Sequence, residues 1–141
     1  MTAPAAHLRV LQECSRPECL DRIHQALEEL WAEVADVDQV DRMLFEIAVI
    51  EVAGNVVRHG GGDGGFDCQI TLRVFDSSLE ATFCDTGRRA EVDIAGADLP
   101  EEDSEHGRGL AMARDAVDEL SYERVDGTNC WRIRRDRVAR T

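Results

Sequence analysis

Apolar residues recur along this chain with two different periods, and the switches between them mark its elements. From His7 to Cys14 they alternate closely enough to predict a first strand. Leu20, Ile23, Leu27, Leu30, Trp31 and Val34 then recur at helical spacing and predict an amphipathic helix to about Ala35. Ser15 and Glu18 have the spacing of a reciprocal capping box at its start. A second helix, capped by Asp38, is apolar almost all round. Wound at about 100° per residue, it carries Met43, Ile47, Ile50, Gly54 and Val57 on one face and Phe45, Val49, Val52 and Val56 on another. The sector between them begins as Leu44 and Ala48 and then turns polar, as Glu51, Asn55, Arg58 and His59.

Five glycines around Asp63, from Gly60 to Gly65, end that helix in a turn that neither helix nor strand tolerates. Two alternating runs, Phe66 to Phe75 and Leu79 to Cys84, predict a hairpin closed by Asp76-Ser77-Ser78. From Thr86 to His106 the apolar rhythm is lost, and a long loop with an acidic cluster at Glu101, Glu102, Asp103 and Glu105 is expected. A third helix starts near Gly109 and runs to roughly Leu120. Two closing strands flank the turn pair Asp126-Gly127. Strand, helix, helix, hairpin, loop, helix, hairpin is the order of an α+β fold, a two-layer sandwich with helices on one face of a mostly antiparallel sheet. With no repeat and no linker, residues 1–141 read as one domain.

Composition narrows the function without naming it. The charged fraction of 32% and hydrophobic fraction of 43% are those of a globular protein. No run is long enough to span a membrane, and the first residues lack the basic start and apolar core of a signal peptide, so a cytoplasmic location is expected. The five cysteines are odd in number and contain no C-x-x-C pair, which argues against a zinc or disulfide framework. A net charge of −13 repels a phosphate backbone, so direct nucleic-acid binding is not expected and a basic protein partner is.

Three polar groupings carry candidate chemistry. Glu51 sits two turns before the glycines in an otherwise buried run, where a carboxylate needs a partner; Asn55, one turn on, offers a carbonyl oxygen to a hard cation such as Mg²⁺. Asp85-Thr86-Gly87 places a carboxylate at a strand end, where it can accept a hydrogen bond from a planar ligand approaching the bare backbone of Gly87. His106-Gly107-Arg108-Gly109-Leu110 opens a helix, whose free amides attract phosphate, with the Arg108 guanidinium adding a forked donor. Each also has an ordinary reading: a fraying helix end, an Asp-led turn, a glycine turn before a helix.

In this order and spacing the groupings resemble those of the GHKL ATPase/kinase superfamily, whose domain has the Bergerat or histidine-kinase-like ATPase fold. Glu51-x-x-x-Asn55 looks like its N box, Asp85-x-Gly87 its first glycine box, Gly107-x-Gly109-Leu110 its second, and Gly127-Thr128 its last element. The form E-V-A-G-N-V-V-R-H and the compact length are most similar to bacterial anti-sigma-factor serine kinases. The resemblance implies an ATP-dependent protein kinase that holds a sigma factor inactive and phosphorylates a STAS-domain anti-anti-sigma factor, commonly as a homodimer. It further implies Asn55 as Mg²⁺ ligand and Glu51 as general base. Asp85, Gly87 and Thr128 would hold adenine, and Gly107, Arg108 and Gly109 the phosphates of ATP. Arg88-Arg89 depart from the superfamily, which has another glycine after the first box. That departure keeps open a nucleotide-gated binding module without catalysis, and a structural adaptor with a vestigial pocket. His24 is the one candidate phosphoacceptor for a sensor histidine kinase, but no acidic-Arg-Pro sequence follows it.

Overall fold

The computed structural model describes residues 7–59, 66–89 and 105–138, with residues 59 and 105–108 described by backbone alone. The elements are β1 His7–Leu11, α1 Cys19–Glu33, α2 Gln39–His59, β2 Cys68–Val74, β3 Ser78–Asp85, α3 Glu105–Ala116, β4 Glu119–Val125 and β5 Thr128–Asp136. They follow the order the sequence predicts. The expected glycine turn after α2 and the acidic cluster Glu101, Glu102 and Asp103 lie outside the described residues.

The five strands form one sheet in the order β1-β2-β3-β5-β4, and every described ladder is antiparallel. The period of two sets its faces. Ile70, Leu72 and Val74 on β2, Leu79, Ala81 and Phe83 on β3, and Trp131 and Ile133 on β5 are buried. They form one core with Ile23, Leu27 and Leu30 of α1 and Phe45, Val49, Val52 and Val56 of α2. Each such side chain removed from water contributes about 2 kcal/mol. The opposite face carries Leu8, Val10, Glu80, Thr82, Arg132 and Arg134, all exposed or half-buried.

Helix α2 touches α1, α3, β3 and β5, which is why it is apolar nearly all round. Its start is capped as expected, the amide of Val40 donating to Asp38 Oδ2 at 3.0 Å. Fully buried Asp41 ties the same end to the far end of β5, accepting from Arg135 Nε at 2.9 Å and from the Val138 amide at 2.9 Å.

Three expectations need correction. The capping box at Ser15 does not form: the N-cap is Glu18, without a side-chain cap, and a turn with Cys19 N–H donating to Arg16 O precedes the helix. A covalent link lies next to it. Cys14 and Cys19 are joined by a disulfide, with their Cα atoms 5.1 Å apart, across the corner between β1 and α1. Odd cysteine parity excluded a framework but not this single short bridge. Helix α3 begins at Glu105 rather than near Gly109, so Gly107 and Gly109 lie inside its first turns.

Candidate functional site

Strand register builds the first half of the site. Asp85, the last residue of β3, stands directly opposite Asn129 of β5 on the helix-covered side of the sheet, and both are buried. Asp85 Oδ1 accepts from the Gly87 amide at 2.9 Å, a local turn closed by the carboxylate, and from Asn129 Nδ2 at 2.9 Å. Asn129 Nδ2 also reaches the carbonyls of Gly87 at 3.2 Å and Arg88 at 2.8 Å. Its Oδ1 accepts from Tyr122 Oη and, at 2.8 Å, from Arg124 Nη1, which also holds Gly87 O at 3.0 Å. The strand end, the turn after it and the closing hairpin are therefore fixed through one amide side chain.

Electrostatics at this end follow from burial. Desolvation raises the Asp85 carboxyl above the ordinary aspartate value, and the hydrogen bonds from Asn129 and Gly87 and the charge of Arg124 pull it partly back. Cys68, opposite Asp85 on β2, is buried, and its thiol is pushed up to about 12 by desolvation, with Asp85 and Cys84 adding to the effect.

The second half of the site is the polar sector of α2. Asn55 is buried, and its Oδ1 meets no hydrogen-bond donor among the described residues. An orphaned carbonyl oxygen costs about 1–3 kcal/mol, and a hard cation is one group that would relieve it, so the residue fits a Mg²⁺ ligand. One turn earlier Glu51 is half-buried, and its carboxylate lies against the N-terminal part of α3. A Cβ on Gly109 would collide with that carboxylate, so the glycine leaves room for Glu51 to lie between α2 and α3. Glu51 also lines a cavity of about 900 Å³ with Trp31, Met43, Ile47, Ile50 and Met112. Among the described residues no three His, Cys, Asp or Glu side chains gather as a metal cluster.

Of the expected site residues, Asp85 and Gly87 meet at the β3 end, and Glu51 and Gly109 meet at the α2–α3 contact, with Asn55 one turn beyond Glu51 on α2. Gly107 is in the first turn of α3, where backbone amides lack helical partners. The side chain of Arg108 lies outside the described residues. Strand alternation turns Thr128 to the outer face, away from Asn129, yet it lines a cavity of about 400 Å³ together with Asp85, Gln69, Cys84 and Thr86. Asn129 occupies the place beside Asp85, and the sequence reading passed over it. Alternation with Trp131 and Ile133 places Asn129 on the inner face, but no local period tells which residue of β3 it meets. His24 Nδ1 lies 3.0 Å from Glu46 Oε1, an exposed pair bridging α1 and α2.

The family described as Histidine kinase-like ATPase domain matches residues 14–135. No curated protein sequence matches the chain. Among solved structures, the RsbU and RsbW domains of a Mycobacterium tuberculosis protein superpose with a TM-score of 0.65 at 20% identity, over 95% of this chain and 34% of that one. The histidine kinase domain of a blue-light activated histidine kinase from Erythrobacter litoralis superposes with a TM-score of 0.55 at 22% identity, over 83% of this chain and 58% of that one. The chain thus spans about a third of the first structure and less than two thirds of the second, and at these identities both likenesses concern the fold.

Proposed function

The chain belongs to the histidine kinase-like ATPase domain family, and from that premise we propose that it binds Mg-ATP and transfers the terminal phosphate to a serine of a STAS-domain protein while sequestering a sigma factor. The observation that carries the reading is the orphaned Oδ1 of buried Asn55, one turn from a carboxylate packed on the start of α3. In this reading Asp85 Oδ2 accepts the adenine amino group, Oδ1 being engaged by Gly87 and Asn129. Amides at the start of α3 hold the phosphates, with Arg108 beside them. Mg²⁺ on Asn55 would neutralise phosphate charge. Glu51 takes the proton of the attacking serine hydroxyl, which reaches it through the cavity between the helices.

The E-V-A-G-N-V-V-R-H form of α2 supports the anti-sigma kinase reading over a sensor histidine kinase. Incubation with labelled ATP, Mg²⁺ and candidate STAS-domain proteins is the test. Label should appear on serine. Glu51→Ala should keep Mg-ATP binding and lose transfer by about a hundredfold, the usual size of a general-base contribution. Tight Mg-ATP binding with no transfer to any candidate would favour a nucleotide-gated module instead.

A further inference from the structure

The outer face of the sheet holds a pair of thiols that the nucleotide reading does not use. Cys84 of β3 and Cys130 of β5 stand directly opposite each other in the antiparallel register. Both are free, both are half-buried, and their Sγ atoms are 3.5 Å apart. Directly opposed residues of an antiparallel pair have Cα atoms about 4.5–5.5 Å apart, within the range a disulfide bridges without moving the backbone. Closing the remaining gap to a bond of about 2.05 Å needs only side-chain rotation. Solvent reaches Cys84, which lines a cavity of about 400 Å³ with Gln69, Asp85, Thr86 and Thr128, and Cys130 is itself half-buried.

We propose that Cys84 and Cys130 are an oxidisable dithiol site, converted by a hydroperoxide into an intramolecular cross-strand disulfide. One thiol, as thiolate, attacks the peroxide oxygen, forming a sulfenic acid and releasing an alcohol, or water where the oxidant is hydrogen peroxide. The second thiol then attacks the sulfenic sulfur, forming the S–S bond and releasing water. Two thiols thereby lose two electrons and two protons to one peroxide. Burial and the neighbouring Cys130 push the Cys84 thiol up to about 11, so Cys84 rests protonated at neutral pH and attacks slowly. Such a site responds to sustained oxidant rather than to a brief pulse.

The position gives the bond a consequence. The next rung of the same ladder is Asp85 opposite Asn129, whose side chains meet on the other face. A covalent tie at Cys84–Cys130 clamps β3 to β5 beside the pair that holds the strand end, and it closes a loop of 46 residues. Long closed loops restrict the unfolded chain most.

The test is to titrate the full-length protein with hydrogen peroxide while counting free thiols, mapping linked peptides and recording Tm. Two thiols should disappear together, a peptide pair joined through Cys84 and Cys130 should appear in the monomer, and Tm should rise by about 10 °C. Cys84→Ser and Cys130→Ser should each abolish the linked pair and the Tm rise, whereas Cys68→Ser should keep both. Stepwise loss of single thiols, a link through Cys68, or disulfide-joined dimers would each overturn the proposal.

Discussion

Asp85 and Asn129 show how one rung of a ladder can hold a buried carboxylate in place. The buried charge of Asp85 is tolerated because Asn129 and the Gly87 amide donate to it, and Asn129 in turn depends on Tyr122 and Arg124. Replacement of Asp85 by Asn keeps an oxygen for both donors and removes the charge, but turns the opposite atom into a donor facing the adenine amino group. Asp85→Asn is therefore expected to bind ATP at least tenfold more weakly by calorimetry while unfolding no earlier than the parent at pH 7. The pH sign follows from the raised carboxyl. Burying the ionised form costs stability above the folded-state value, and that cost is relieved as pH falls through it towards the ordinary aspartate range. Any Tm advantage of Asp85→Asn at neutral pH should therefore shrink on acidification, and an advantage that grows would refute the assignment. Asp85 was legible in the sequence as a carboxylate at a strand end before Gly87. Its partner was not, because which strand lies beside β3 is a long-range choice that no local period records.

At the scale of elements the protein depends on how closely α2 and α3 approach. Glu51 faces Gly109, and the group that an alanine Cβ would strike is the far end of a flexible side chain. Gly109→Ala should thus leave folding nearly unchanged, or stabilise it by about 1 kcal/mol through helix propensity. It should displace the Glu51 carboxylate and lower phosphotransfer by about a hundredfold. Parallel urea denaturation and transfer assays separate the two effects, and normal transfer would remove Glu51 from the chemistry. The other end of α2 has a structural duty. Asp41→Ala would strand Arg135 in a largely buried position and should cost about 3 kcal/mol in urea denaturation. All eight elements could be placed from the sequence because their apolar periods are long and clean. The corner at Cys14–Cys19 could not, since a single bridge of short span leaves no trace in periodicity, and with it went the expected Ser15 cap.

On the whole molecule, helices cover one face of a five-stranded antiparallel sheet, with α2 packed against α3, β3 and β5. No helix of the described residues is long and apolar enough to cross a membrane. The net charge of −13 belongs to the chain as a unit and suits a basic partner such as a segment of a sigma factor. Association with that partner should slow about tenfold between low and high salt, as screening shortens the reach of the field to roughly ten ångströms. Reversal of Glu101, Glu102 and Asp103 to lysine should slow it similarly at low salt without changing ATP affinity, as read by surface plasmon resonance. Within that whole, the orphaned oxygen of Asn55 is expected to hold the magnesium of a bound nucleotide. It is tested most directly by calorimetric titration of ATP into the parent protein and Asn55→Ala, each with Mg²⁺ and with a chelator. Mg²⁺ should strengthen binding to the parent by tenfold or more, and Asn55→Ala should lose this gain. An equal gain from Mg²⁺ in both proteins would contradict it.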